Sequence, residues 1–241
     1  MDFEEYSPER PITVSPAVVK RLPRYYRYLR ELITQGRMRI SSGELSAMMN
    51  VTASQIRQDL NCFGGFGQQV YGYNVNYLFA RISEILGVGE GFHAVIIGAG
   101  DLGRALVHLS MFEKRGVDIV GMFDTGEGQE GTQVAGVDVM PLASLEEFCA
   151  QHPVDIAVIT CPKEQVKAIA DRLVASGVKG LWNYMGVELK YSRREIAVEN
   201  VHLGDSLMIL NYKIASREEE LRGLANLEEA PDDVASSQDM P

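Results

Sequence analysis

The chain reads as an α/β protein of two unlike domains followed by a terminal helix. Three observations carry this. Two short helical patterns are joined by a three-residue turn in the first quarter; the hydrophobic period changes near residue 90 from helical faces to continuous apolar runs alternating with helices; and a Gly-x-Gly-x-x-Gly motif sits where the first such run ends. At 241 residues the chain has room for two domains, each with its own core.

Residues 1–15 hold two prolines, with a third at Pro16, show no periodicity and read as disordered. Over 17–35, Val18, Val19, Leu22, Tyr25, Tyr26, Leu29, Leu32 and Ile33 fall on one helical face, predicting a helix that ends near Gly36. Ser41 or Ser42 can cap a second helix, with Glu44 at capping-box distance from Ser41, and that helix stops at Asn50. After a turn at Val51–Ala53, Thr52 or Ser54 caps a third helix, SQIRQDLNCF, in which Ile56 and Leu60 face the core and Gln55, Arg57, Gln58 and Asn61 do not. Two short helices across such a turn form a helix-turn-helix. The following GGFGQQVYGYNV reads as a hairpin or wing, Tyr77–Leu86 as another helix, and GVGEG as a linker.

From His93 the pattern is strand and helix in turn. AVIIGAG is a buried strand, DLGRALVHLSMFEKRG a helix and VDIVGMFD a strand; VDVMPLASLEEFCAQHP, VDIAVITCPKE, QVKAIADRLVASG and VKGLWNY continue the alternation. This predicts a doubly wound parallel sheet of Rossmann type. VHLGDSLMILNYKIA is an apolar helix outside that rhythm. The domains expected are thus a winged helix over 16–86, a Rossmann domain over 90–200, a terminal helix over 201–216 and an acidic disordered tail over 217–241.

Net charge is −10, which by itself argues against a polyanionic partner, but the charge is unevenly placed. Between Arg10 and Ala80 nine basic residues face three acidic ones, while from Arg217 onward eight acidic residues face two arginines. The basic excess coincides with the helix-turn-helix. Arg57 with Gln55 or Gln58 can make bidentate contacts to guanine and adenine edges. No apolar run approaches 18 residues, and the acidic N-terminus has no basic flank or apolar core, so a soluble cytoplasmic protein with no membrane partner is expected. Cys62, Cys149 and Cys161 are odd in number and lack a CxxC, which predicts reduced thiols with neither disulfide nor metal.

In Gly98-Ala99-Gly100-Asp101-Leu102-Gly103, Gly98 permits a tight turn, Gly100 admits a pyrophosphate to the backbone, and Gly103 lets helix and strand pack closely. Asp124 ends the second strand, where it can accept hydrogen bonds from ribose hydroxyls. The absence of an arginine in Thr125-Gly126-Glu127 favours NAD(H) over NADP(H). His108, His152 and His202 have no evident orienting partner for proton transfer, and no Tyr-x3-Lys pair occurs, so no enzyme is expected.

The segments RLPRYYRYL, RISSGELSAMMNVTASQIRQDLNCFGGFGQQVYGYNV, VIIGAGDLGRAL, DIAVITCPKE and NVHLGDSLMILNYKI resemble the bacterial redox-sensing transcriptional repressor Rex family, from about Ala17 to Ser216. The resemblance implies a homodimer with its C-terminal helix exchanged between subunits, winged helices on a palindromic double-stranded operator, and NADH binding that closes the dimer and releases DNA. The candidate nucleotide-binding residues are Gly98, Ala99, Gly100, Asp101, Leu102, Gly103, Asp124, Thr160, Cys161, Pro162, Asn183 and Leu203. The candidate DNA-binding residues are Arg21, Arg24, Tyr26, Ser54, Gln55, Arg57, Gln58, Phe66, Gln68, Gln69 and Tyr73.

Asp101 stands where the family pattern has Asn, Met185-Gly186 where a small residue and Pro are common, His202 where Asp is frequent, and Gln68 and Gln69 where basic residues are frequent. Two alternatives remain: a paralogue with an altered or absent nucleotide response, and an NAD-dependent oxidoreductase.

Overall fold

The computed structural model describes residues 15–62, 72–126, 131–192 and 194–228, with the side chains of 223–228 left aside. The chain divides into two units that part at Gly91, a short stretch Glu113–Val117 clustering with the first.

In the first unit the helix expected over 17–35 is two helices, α1 (Pro16–Val19) and α2 (Leu22–Thr34). Pro23 lies in the first turn of α2, where its missing N–H costs nothing, and its ring disfavours continuing a helix through the residues before it. Leu22, Tyr25, Tyr26, Leu29 and Leu32 are the buried face of α2. Gly36, at φ +71°, turns the chain into β1 (Arg39–Ile40). The capping box is formed on α3 (Ser42–Met49): Ser41 Oγ accepts from the Glu44 N–H at 3.1 Å, and the Ser41 N–H donates to Glu44 Oε2 at 2.8 Å. Asn50 ends α3 in the left-handed region at φ 50°. Thr52 then caps α4 (Ala53–Asn61), its hydroxyl accepting from the Gln55 N–H at 3.1 Å. Ile56 and Leu60 are fully buried, as their spacing predicts. β2 (Tyr73–Asn74) pairs antiparallel with β1, and α5 (Val75–Ile85) follows, capped by Asn74. Gly72 is forced here: its φ is +73° and a Cβ would lie 2.8 Å from the Ile40 carbonyl oxygen.

Among the described residues, the second unit is built on a seven-stranded sheet. Its strands are β3 (Phe92–Ile97), β4 (Val117–Asp124), β5 (Gln133–Val134), β6 (Val137–Pro141), β7 (Ile156–Ile159), β8 (Gly180–Asn183) and β9 (Ala197–Asn200), in spatial order β5-β6-β4-β3-β7-β8-β9. The pairs β4–β6, β3–β7, β7–β8 and β8–β9 are parallel; β5 and β6 form an antiparallel edge hairpin. Helices α6 (Asp101–Val107), α7 (Leu145–Gln151) and α8 (Lys163–Ala175) make the crossovers. After β3 the chain winds one way to β4 and β6, then returns to β7 on the other side. The carboxyl ends of β3 and β7 therefore flank a topological switch point, where such sheets hold ligands.

Two expected lengths are corrected. The helix expected over 101–116 ends at Val107, and a 3₁₀ turn takes up Glu113–Arg115. The chain leaves the helix and brings Phe112 edge-on to Trp182, ring centroids 5.9 Å apart, burying a side chain that an unbroken helix would place differently. The terminal helix α9 spans Leu203–Glu228 rather than stopping at 216. Arg217-Glu-Glu-Glu-Leu-Arg222 contains good helix formers and an Arg222–Glu218 pair at i, i+4, so charge alone does not end it.

Candidate functional site

The glycine-rich loop is held by packing that leaves little choice of residue. Gly98 has φ +109°, and a Cβ on it would lie 2.8 Å from the backbone of Thr160 and Cys161. A Cβ on Gly103 would lie 2.0 Å from the Gly98 carbonyl oxygen. A Cβ on Gly100 would meet nothing within 4 Å, so the backbone there faces open space, as an approaching phosphate requires. Thr160 Oγ1 closes the loop from below, in contact range of both the Ile97 and the Gly98 carbonyl oxygens at 3.0 Å.

Above this loop lies a cleft of about 400 Å³ lined by Ile97, Gly98, Gly100, Phe123, Asp124, Thr125, Gly126, Leu142, Thr160, Cys161, Pro162, Gln165, Ile169 and Met185. Its walls are largely apolar and carry a few polar side chains, Asp124, Thr125, Thr160 and Gln165, a composition that suits a dinucleotide. Asp124 accepts from the Ala99 N–H and, at 2.6 Å, from the Gly126 N–H. Each oxygen keeps a lone pair for a ribose hydroxyl. Arg104 Nε donates to the Ala99 carbonyl at 2.7 Å, while Asp101 is exposed at the first position of α6. Cys161 is 3% exposed, and burial pushes its thiol up to about 11, so it is a protonated wall of the cleft rather than a thiolate.

Of the expected nucleotide residues, Gly98, Gly100, Asp124, Thr160, Cys161 and Pro162 line the cleft, and Ala99 and Gly103 shape it from beneath. Asn183 does not line it. Fully buried, its carboxamide donates to the Val187 carbonyl and to Asn200 Oδ1 and accepts from the Met185 N–H, so it braces the loop after β8. Leu203, 59% exposed at the start of α9, is likewise absent from the lining. Among the lining residues that sequence reasoning missed are Leu142, Gln165 and Ile169. The first two follow the carboxyl ends of β6 and β7, the edge at which any side chain of such a sheet is a candidate.

On the helix-turn-helix, Ser54 and Gln58 of α4 are exposed. Arg57 Nη1 donates to Ser42 Oγ at 3.2 Å beside a small recess lined with Gly72 and Tyr73. Arg24 Nη2 donates to the Met49 carbonyl, and Arg27 and Arg30 project outward. Tyr26 is corrected from the DNA face to the core: it is 9% exposed and stacks on Phe79, ring centroids 4.8 Å apart. Tyr73 is also buried, which raises its phenol. Arg21 is turned inward, Nε and Nη2 donating to the two oxygens of Asp59 at 2.7 and 2.6 Å. Tyr25 Oη donates to Oδ2 at 2.9 Å and Gln55 Nε2 to Oδ1 at 2.8 Å, so a buried carboxylate that the sequence did not single out receives four donors. Phe66, Gln68 and Gln69 lie outside the described residues.

The two units define a protein with a helix-turn-helix module and a dinucleotide-type cleft on one chain. Family models match them separately: a putative DNA-binding protein N-terminus over residues 13–61 and a CoA binding domain over 90–186. Curated relatives match nearly the whole length. The redox-sensing transcriptional repressor Rex of Thermoanaerobacter sp. (strain X514) is 48% identical over 86% of this chain and 92% of its own. The repressor of the same name from Clostridium beijerinckii is 43% identical over 87% and 99%. Among solved structures, RSP, a Rex-family repressor, matches with TM-score 0.81 and 44% identity over 88% of this chain and 99% of its own. RSP in complex with β-NAD⁺ and operator DNA matches at TM-score 0.80 and 46% identity over 90% and 99%. RSP in complex with β-NADH matches at TM-score 0.79 and 43% over 88% and 98%. The chain belongs to the redox-sensing transcriptional repressor Rex family.

Proposed function

We propose that this protein is a cytoplasmic transcriptional repressor that binds palindromic operator DNA as a homodimer and leaves it when NADH enters the cleft of the second unit. The observation that carries the reading is the likeness across both units to one protein, RSP, solved both with β-NAD⁺ and operator DNA and with β-NADH. The chain's own geometry supports each part. α4 offers Arg57, Gln58 and Ser54 at the reading position of a helix-turn-helix. The cleft is apolar enough to prefer the uncharged reduced nicotinamide over the cationic oxidised ring. α9 exposes Leu203, Leu207, Met208, Ile209, Leu210, Tyr212, Ile214 and Leu221, each at least half exposed, a surface that calls for cover by a second copy. No described helix is long and apolar enough to cross a membrane.

A ligand moves such a dimer only by its differential affinity for two arrangements. The test is operator-bearing DNA, bound to the protein and challenged with NADH, NAD⁺ and adenine nucleotides. Selective release by NADH is expected; no DNA binding at low salt refutes the repressor. A second reading, DNA binding with an altered nucleotide response, is favoured by the exposed carboxylate of Asp101 where the pyrophosphate should lie. DNA binding with no release by NADH would select it.

A further inference from the structure

Gln55 is the third residue of α4, in the turn of a recognition helix that meets base edges. Its side chain is not free to rotate. Asp59, one turn along the same helix and 1% exposed, accepts the Gln55 Nε2–H at 2.8 Å. A carboxylate can only accept, so the amide nitrogen must face Asp59 and Oε1 must face away. Burial alone would drive the Asp59 carboxyl up, but the donors from Arg21, Gln55 and Tyr25 outweigh it and hold it below its ordinary value, keeping it ionised.

We propose, on the footing of the DNA-reading function above, that Asp59 is a positioning residue for operator recognition: it fixes the Gln55 carboxamide in one orientation, so that Gln55 reads a base from this corner of α4 and Arg21 does not. The chemistry left over on Gln55 is one N–H and an outward carbonyl oxygen. That is the pair an adenine edge needs, N7 accepting and N6–H donating. Arg21 spends Nε and Nη2, one bidentate edge of its guanidinium, on Asp59. Holding the amide in advance removes an ordering cost that a free glutamine would meet on binding.

The experiment uses the full chain and an operator selected from a random palindromic library. Affinity is measured for duplexes altered at one base pair at a time, with the salt slope for each protein. The wild type should lose about tenfold or more at one A·T pair in each half-site. Gln55→Ala should abolish that discrimination alone, Asp59→Asn should remove most of it, and the double variant should add nothing, all with an unchanged salt slope. Uniform weakening on every duplex by Asp59→Asn, with discrimination at that pair intact, overturns the proposal as a merely structural role. Discrimination unchanged in Gln55→Ala overturns it whether or not Asp59→Asn folds. Slow solvent exchange of the Gln55 side-chain amide protons in the wild type supports the clamp without any variant at 59; fast exchange overturns it. Failure of the wild type to select any operator refutes the DNA-reading function instead.

Discussion

Asp59 in the DNA-reading unit and Asp124 in the nucleotide unit both have their oxygens taken by donors from the chain itself, yet they do opposite things. Asp59 is sealed and receives side chains gathered from α2, from α4 and from Arg21, the guanidinium-bearing residue just before α2. Asp124 sits at the lip of a cleft and receives two backbone N–H groups, from the glycine-rich loop and from just past its own strand. A carboxylate saturated by side chains far apart in sequence is a bolt between helices. A carboxylate that organises a loop through main-chain donors shapes a site while keeping lone pairs for what enters it. Removing the aspartate is therefore expected to cost the first unit stability and the second its ligand.

Asp59→Ala should show the largest effect. It strands a guanidinium and a phenol, and should lower the stability of the first unit by about 3 kcal/mol, read by thermal melting. The pH dependence has a definite sign. A carboxyl held below its ordinary value in the folded state contributes stability that is complete above about pH 3.8 and is lost as pH falls below that value. Asp59→Asn should flatten that limb of the melting curve. An unaltered acid limb would show that Asp59 is no bolt.

Gly103→Ala comes next and tests the other side. Its methyl would meet the Gly98 carbonyl oxygen, so the loop must shift, at a cost of about 1–3 kcal/mol and with loss of NADH binding. Gly100→Ala, whose methyl meets nothing, should leave the melting temperature within a degree or two while weakening nucleotide binding, since the intrusion occurs only when a phosphate arrives. Equal destabilisation by both would break the contrast between packing glycine and ligand glycine.

Local patterns were legible in the sequence and long-range ones were not. The Ser41–Glu44 capping box, the Thr52 cap and the approach of Gly103 to the Gly98 carbonyl are each settled within a few residues, whereas Gly98 is also required by Thr160 and Cys161 across the sheet. The Asp59 cluster joins residues 38 apart, and nothing in the spacing of Arg21 announces which way its fork turns. Arg21 and Tyr26 read as DNA contacts because this stretch is rich in Arg and Tyr, but α5 covers Tyr26 with Phe79 and Asp59 of α4 turns Arg21 inward. Asn183 has the chemistry of a ligand-binding residue, and only the fold reveals that Val187, Met185 and Asn200 consume it. The reach of α9 past 216 is hidden in the sequence because an acidic composition resembles that of a disordered tail, whereas Glu and Arg are good helix formers.

Asp101 probes the cleft more gently. An exposed carboxylate at the start of α6 places negative charge at the helix end where a dinucleotide's pyrophosphate is expected. Asp101→Asn should tighten NADH and NAD⁺ alike, by about two- to fivefold at low salt, because both carry the same pyrophosphate. Calorimetric titration of each nucleotide checks this; a gain confined to one redox form would place Asp101 near the nicotinamide instead.

The smallest effect belongs to a third carboxylate, Glu44, which shows what exposure does to the same chemistry. The Ser41 N–H, the Arg37 guanidinium at 2.5 Å and the Ser41 hydroxyl draw its carboxyl down to about 2. With half of the Glu44 side chain and much of Arg37 in solvent, screening leaves only a fraction of that as stability. The contribution is present above about pH 4.5 and is lost as pH falls toward 2. Glu44→Gln, which keeps the capping geometry but not the charge, should lower stability at pH 7 by about 0.5 kcal/mol, and added salt should shrink the difference. A loss as large as that of Asp59→Ala would mean that burial is not what separates bolt from cap.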